Sequence, residues 1–174
     1  MNKSALKILE KFFKKSTIFK YGFNFNYAYR RSTGRVYFVS EDLNTVKVKI
    51  PLTYKNRNYK GTMFGGTMSS ATDPIYIIQL ITLLGEDYVI WDRSASIRFK
   101  RPGNKTLYAN FSVTDAFLNQ IKDDISQHNE KDYRMKVNLT DKDEVVYAEV
   151  ERVLYISSKP YYIKKRGASN KTKI

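Results

Sequence analysis

The chain has 174 residues, 42% of them hydrophobic, which is enough for one domain with a substantial core. It has no cysteine and a single histidine, His128, which excludes disulfides, thiolate nucleophiles and Cys- or His-cluster metal sites. A formal net charge of +14 points to an anionic partner (nucleic acid, acidic lipid or a phosphate-bearing small molecule), with solvated surface lysines as the plainer explanation.

In chain order, Ser4 to Lys15 reads as an amphipathic helix, with Leu6, Leu9 and Phe13 on one face and Lys7, Lys11 and Lys14 opposite. Such a helix suits capping a sheet, packing on a partner subunit or resting on a membrane. The segment lacks the continuous apolar run and cleavage site of a signal peptide. The longest apolar stretch, Ile75 to Leu84, is too short to span a bilayer, so a cytoplasmic protein is expected. Ile18 to Tyr29 interleaves Phe and Tyr with Asn, a composition that suits nucleotide stacking, a pocket lining or core cover.

From Arg35 the period changes to two. RVYFVS and TVKVKIPL flank a turn at Glu41-Asp42-Leu43-Asn44, which predicts a hairpin with Val46, Val48 and Ile50 on one side. The stretch from Tyr54 to Leu84 then passes from a basic loop through Gly61, Gly65 and Gly66 into an apolar helix containing Asp73. Free amides where a flexible turn opens a helix suit a carbonyl oxygen or an anion. A carboxylate with apolar neighbours two turns on is placed to act as a base.

Gly85 suits the helix C′ position. Strands are predicted at Tyr88 to Lys100, Thr106 to Thr114, Tyr133 to Thr140 and Val145 to Ser157, with a helix at Ala116 to His128. Each strand is expected beside its sequence neighbour. Trp91 is expected in the core, with the border of the pocket as its alternative place, and His128 on the surface. The basic residues 164–174 read as a tail without structure, following one domain over 1–163. The fold class expected is α+β, one antiparallel sheet curled around one long central helix, with an N-terminal helix.

That order, with particular residues, resembles the hotdog fold of the acyl-CoA thioesterase superfamily, nearest its phenylacetyl-CoA thioesterase-like branch and related thioesterase-like domains. The branch's motif is Asn-x-x-Gly-x-x-His-Gly-Gly, with an Asp seven residues after the second Gly. Here it reads Asn58-Tyr59-Lys60-Gly61-Thr62-Met63-Phe64-Gly65-Gly66, with Asp73 at the seventh place. Ser94 to Pro102 is similar to the family's following strand and closing proline, and the resemblance covers residues 35 to 157.

The resemblance implies hydrolysis of an acyl-CoA or acyl-carrier-protein thioester by a homodimer or dimer of dimers, with coenzyme A only as part of the substrate and no metal. It implies that the Gly66 N–H stabilises the oxyanion and that Asp73 activates water across the dimer interface. Asn58 would hold the loop or the water. Gly65, Phe64, Met63 and Thr67 would border the substrate, and Arg57, Lys60, Arg98 and Lys100 are candidate partners of the phosphates. Phe64 replaces the family's His, which makes the acyl pocket more apolar and, with Met63 and Met68, favours a medium or long chain. The same departure keeps open a non-catalytic acyl-CoA-binding or regulatory domain. A nucleic-acid-binding module ranks third, because no recognised motif accompanies the basic charge.

Asp73-Pro74 also has a plain reading. Asp is a favoured N-cap and Pro a favoured first helical residue, so the pair can simply start a helix at Ile75. The thioesterase arrangement instead needs helix already at residues 65–72, with Pro74 at a kink.

Overall fold

The computed structural model describes Leu9 and residues 11–171, the last four as backbone only. Most of the helix expected at Ser4 to Lys15 lies outside the described residues; residues 11–13 form a turn and bend, and Lys14 is extended. The helices are α1 (Lys15–Phe25), α2 (Tyr27–Arg31), α3 (Gly65–Thr72), α4 (Ile75–Leu84), α5 (Asp115–His128) and α6 (Lys159–Lys171). The strands are β1 (Arg35–Val39), β2 (Thr45–Ile50), β3 (Tyr88–Phe99), β4 (Leu107–Ser112), β5 (Glu130–Thr140) and β6 (Val146–Ser158). They form one sheet in the order β1-β2-β4-β5-β6-β3.

Three expectations change here. β3 is not beside β4 but at the far edge, next to β6. The link between them does not fold back as a hairpin. Instead Lys100 N and Arg101 N donate to Tyr147 O at 2.8 and 3.2 Å, and Gly103 O accepts from Met63 N at 2.7 Å. As an edge strand β3 buries only Ile90, so Trp91 is 57% exposed and not core. The expected structureless tail is instead helical, in α6, through Lys171.

The elements gather into two compact units, the first comprising the chain up to Ile75 with Ile97–Ser112 and Val137–Val150. Its centre is the antiparallel β2–β4 pair, where Val46, Val48 and Ile50 face Phe111, Ala109 and Leu107. All six are buried, each large one worth about 1.5–3 kcal/mol of apolar burial. β1 pairs with β2 through a register shift between Val36 and Phe38. α1 packs on β1, and the Asn24 amide pairs with Val36, accepting its N–H at 3.0 Å and donating to its carbonyl at 2.8 Å. This covers part of an otherwise open strand edge. α3 packs on β2. The Tyr29 hydroxyl donates to Ala71 O at 3.1 Å and fastens α2 to α3, and burial pushes its pKa up, so it stays a donor.

The second unit comprises Tyr76–Ser96, Val113–Lys136 and the chain from Glu151 onward. α5 opens on Thr114, whose hydroxyl accepts from Phe117 N at 3.2 Å, and buries Leu118, Ile121 and Ile125 at helical spacing. α4 ends at Gly85, whose φ of +83° is the left-handed conformation expected of a C′ glycine. The Tyr76 hydroxyl on α4 donates to Lys136 O at 2.9 Å. Buried Arg152 on β6 donates to the Asp92 carboxylate at 2.6 Å. His128 is exposed in the last turn of α5, as expected.

Candidate active site

Two asparagines shape the chain that leads into α3. Asn56 is buried at 3% exposure; its oxygen accepts from Thr53 N at 2.8 Å, and its nitrogen donates to Thr33 Oγ1 at 2.7 Å and Pro51 O at 2.8 Å. Its backbone carbonyl accepts from Phe64 N at 2.8 Å, so Asn56 sets the position at which α3 begins. The sequence reading passed over it, because only burial distinguishes it from other loop asparagines.

Asn58 closes the next turn. Its side-chain oxygen accepts from Lys60 N at 2.9 Å and Thr62 N at 3.1 Å, while its nitrogen donates to Thr62 Oγ1 at 2.9 Å. Gly61 completes the turn with φ +77°, a conformation that other residues adopt only with strain. Both polar ends of Asn58 are thus engaged within its own loop.

α3 starts at Gly65, and its N-cap Phe64 (φ −63°, ψ 130°) supplies no side-chain cap. Thr67 N donates to Phe64 O at 3.0 Å, while helical geometry leaves the Gly65 and Gly66 amides without an intrahelical acceptor. Two aromatic rings account for both glycines. A Cβ at residue 65 would lie 2.7 Å from Phe99 Cζ, and one at residue 66 would run into the Phe64 ring. Phe64 and Phe99 are 58% and 54% exposed, so the helix start is flanked by two partly open rings. Phe99 is the second residue the sequence reading missed; it lay within the strand matched to the family but carried no distinguishing signal.

Met63 and Met68 do not share that exposure. Each is 2% exposed, and a Cβ at Gly103 would meet Met68 Cε at 2.6 Å and Met63 Cβ at 3.0 Å, so both sit beneath the turn in the core. Thr67 is buried as well.

Asp73 is the C-cap of α3, in right-handed helical conformation (φ −50°, ψ −63°), and α4 begins at Ile75. Helix already exists over Gly65–Thr72 and a second helix starts just after Pro74, but the helical backbone of Asp73 is not that of an N-cap. Asp73 is exposed. Seven residues beyond Gly66, it lies about 10 Å along the axis and about 20° from the same stripe.

The four candidate cations separate into two pairs. Arg57 and Lys60 sit on the loop itself, with Arg57 bridged to Met63 and its guanidinium 3.5 Å from Gly61 O. Lys60 lies over the Tyr59 ring, 5.8 Å from its centroid. Lys100, in contrast, pairs with Glu149 at 3.1 Å, and strand alternation places Arg98 on the face opposite Phe99. The loop thus gathers Asn58, Arg57, Lys60, Phe64, Gly65 and Gly66, while Arg98 and Lys100 are directed elsewhere.

No curated protein matches the chain. Among solved structures, it is similar to PA5026 from Pseudomonas aeruginosa, a protein of unknown function described as a probable thioesterase, with 17% identity and TM-score 0.72 over 82% of this chain and 95% of that one. It is also similar to OLEI01261 from Chlorobaculum tepidum, of unknown function, with 12% identity and TM-score 0.66 over 82% and 94% of the two chains. Thioesterase HI1161 from Haemophilus influenzae matches at 11% identity and TM-score 0.57 over 78% and 85%. These likenesses show the fold alone, and it is the hotdog fold expected from the sequence. The family described as "Domain of unknown function (DUF4442)" matches residues 15–156, and the chain belongs to it.

Proposed function

We propose that this protein hydrolyses an acyl thioester, with coenzyme A or an acyl-carrier protein as the thiol carrier. The observation that carries the reading is the start of α3: a Gly-Gly turn with no side-chain cap, followed two turns later on the same stripe by the Asp73 carboxylate. Its support from relatives is that structural neighbours of the same fold are described as thioesterases.

The chemistry follows from the two ends of the helix. The thioester carbonyl accepts from Gly66 N–H, which stabilises the developing oxyanion, a contact worth roughly 3 kcal/mol where such a donor has been removed. A carboxylate takes a proton from water as the water oxygen bonds to the carbonyl carbon. Collapse of the oxyanion breaks the C–S bond, and the departing thiolate takes a proton to leave as thiol beside the carboxylic acid. Asp73 of the same chain is about 10 Å from Gly66 along the helix. As the family resemblance implies, the carboxylate is Asp73 of a second copy, and the working unit is a dimer. Arg57 and Lys60 are the cations placed to meet carrier phosphates.

The Phe64 ring against Gly66 favours a second reading, in which the site binds an acyl thioester without turning it over. Thiol release from short, long and aromatic acyl-CoA esters separates the two, with wild type measured beside Asp73→Ala and Asp73→Asn. Hydrolysis requires turnover in wild type that falls at least a hundredfold in both variants, with the dimer retained. Saturable binding with no thiol release, or equal rates in all three proteins, removes Asp73 from catalysis.

A further inference from the structure

From Lys11 to Ser40 the chain holds seven cations and ten aromatic residues and not one carboxylate. α1 lies within this segment and buries Ser16, Phe19 and Phe23. At 100° per residue, Lys14, Ile18, Tyr21 and Phe25 fall on the opposite stripe. Tyr21 and Phe25 are 50% and 72% exposed, and their rings stack 5.9 Å apart at 20°. Phe12 and Phe13 precede them at 75% and 54% exposure, and Tyr27 follows at 70%.

A helix that rests one face on a protein core and the other in water carries polar residues outward. α1 is apolar on both faces. Single exposed aromatics are ordinary, but a run of them on one stripe, rimmed by cations, marks a surface that meets a partner.

The charge selects the partner. Lys14 is ion-paired with Glu41, whereas Lys11, Lys15, Arg30 and Arg31 are exposed cations in a segment without acids. Aromatic rings with a cationic rim are what the headgroup region of an anionic bilayer accommodates. A short helix with such a face lies in the plane of the interface. Among the described residues no helix is long and apolar enough to cross a membrane, so the contact is peripheral. Nucleic acid would need open ring faces for bases. Here Tyr21 and Phe25 stack on each other, the Arg31 guanidinium lies 4.4 Å over Tyr27, and Lys47 lies 5.4 Å over Phe38.

We propose that the outward face of α1 (Ile18, Tyr21 and Phe25), with Phe12, Phe13 and Tyr27, docks on an anionic lipid bilayer, with the neighbouring lysines and arginines meeting its headgroups. The test is co-sedimentation of the full chain with phosphatidylcholine vesicles, with and without phosphatidylglycerol. Beside wild type stand Tyr21→Ser/Phe25→Ser, Arg30→Gln/Arg31→Gln and a chain lacking residues 164–174, each checked for fold by thermal melting. Wild type is expected to bind only the phosphatidylglycerol vesicles, less at high salt. The aromatic double variant should lose at least tenfold in affinity with its melting transition intact, and the truncated chain should still bind. A Phe25→Trp variant should show blue-shifted emission with those vesicles, judged against the wild-type Trp91 signal.

Four results overturn the proposal. The first is no vesicle binding; the second is equal binding by wild type and the aromatic variant. The third is binding lost only with residues 164–174. The fourth is wild type that ignores vesicles while the aromatic variant loses RNA binding or dissociates an oligomer, which would give this face to nucleic acid or to a second copy.

Discussion

The Phe64 ring occupies the space a side chain on Gly66 would need. Half of that ring faces solvent, so it can swing away, and an alanine at residue 66 suits the first helical turn better than glycine does. Gly66→Ala is therefore expected to fold with a stability change under about 1 kcal/mol. If a thioester carbonyl approaches this backbone, the new methyl and the displaced ring crowd it, and kcat/KM should fall at least tenfold. Chemical denaturation and thiol release on the same variant check both halves. An active Gly66→Ala would assign the glycine to ring packing alone.

Phe64→Ala makes the complementary case. Removing the ring uncovers the Gly66 amide and takes apolar surface from the turn. A ring that blocks turnover predicts faster hydrolysis in this variant, whereas a ring that lines the acyl site predicts a raised KM for long-chain esters with kcat little changed. A chain-length series of acyl-CoA esters tells the two apart.

Asn56, absent from the motif, is the more important asparagine for stability. Asn56→Ala leaves the half-buried Thr33 hydroxyl, Pro51 carbonyl and Thr53 amide without their partner, at a cost of about 2 kcal/mol. Asn58→Ala loosens only the turn at residues 58–62, nearer solvent, and is expected to cost about 1 kcal/mol. Urea midpoints compare them directly; equal midpoints would show that the buried network around Asn56 contributes nothing special.

The contrast explains what was legible in the sequence. The β1–β2 hairpin announced itself because Val46, Val48 and Ile50 alternate with Lys47 and Lys49, a period that one-sided burial demands. α5 announced itself through Phe117, Ile121 and Ile125 at helical spacing, although the structure buries Leu118 in place of Phe117 beside the two isoleucines. The position of β3 did not, because strand order depends on which edges meet, and the link at residues 100–106 is tied to Tyr147 and Met63 by backbone bonds that carry no side-chain signal. Around the candidate site, the residues Asn58, Gly65, Gly66 and Asp73 were readable from their resemblance to the family's motif. The two residues that complete it structurally were not. Asn56 is defined by burial, and Phe99 by a ring that arrives from a distant strand. Asp73-Pro74 looked like a choice between helix interior and helix start, whereas the chain ends one helix there and begins another.

α6 should have an acid limit. Glu130 on β5 accepts both carboxylate contacts from Lys165 at 2.7 Å, and the Tyr155 and Tyr161 hydroxyls also donate to it, at 2.5 and 3.5 Å. The Lys165 bond and then the Tyr155 bond hold the Glu130 pKa below its usual value, and Glu130 in turn raises that of Lys165. A depressed carboxyl pKa stabilises the fold above the unfolded value of about 4.3, and that stabilisation is lost as pH falls through the folded value. For Lys165 the sign reverses: its contribution is full below about 10.4 and is lost as pH rises through the raised folded value. The gap in melting temperature between wild type and Glu130→Gln should therefore be widest near neutrality and close toward pH 3. It should narrow again above about pH 10.4. Amide exchange in α6 should follow the same course in wild type and be flat in the variant across the acid range. A gap unchanged between pH 7 and pH 3 would mean that Glu130 holds α6 equally well as a neutral acid, through its hydrogen bonds and not its charge.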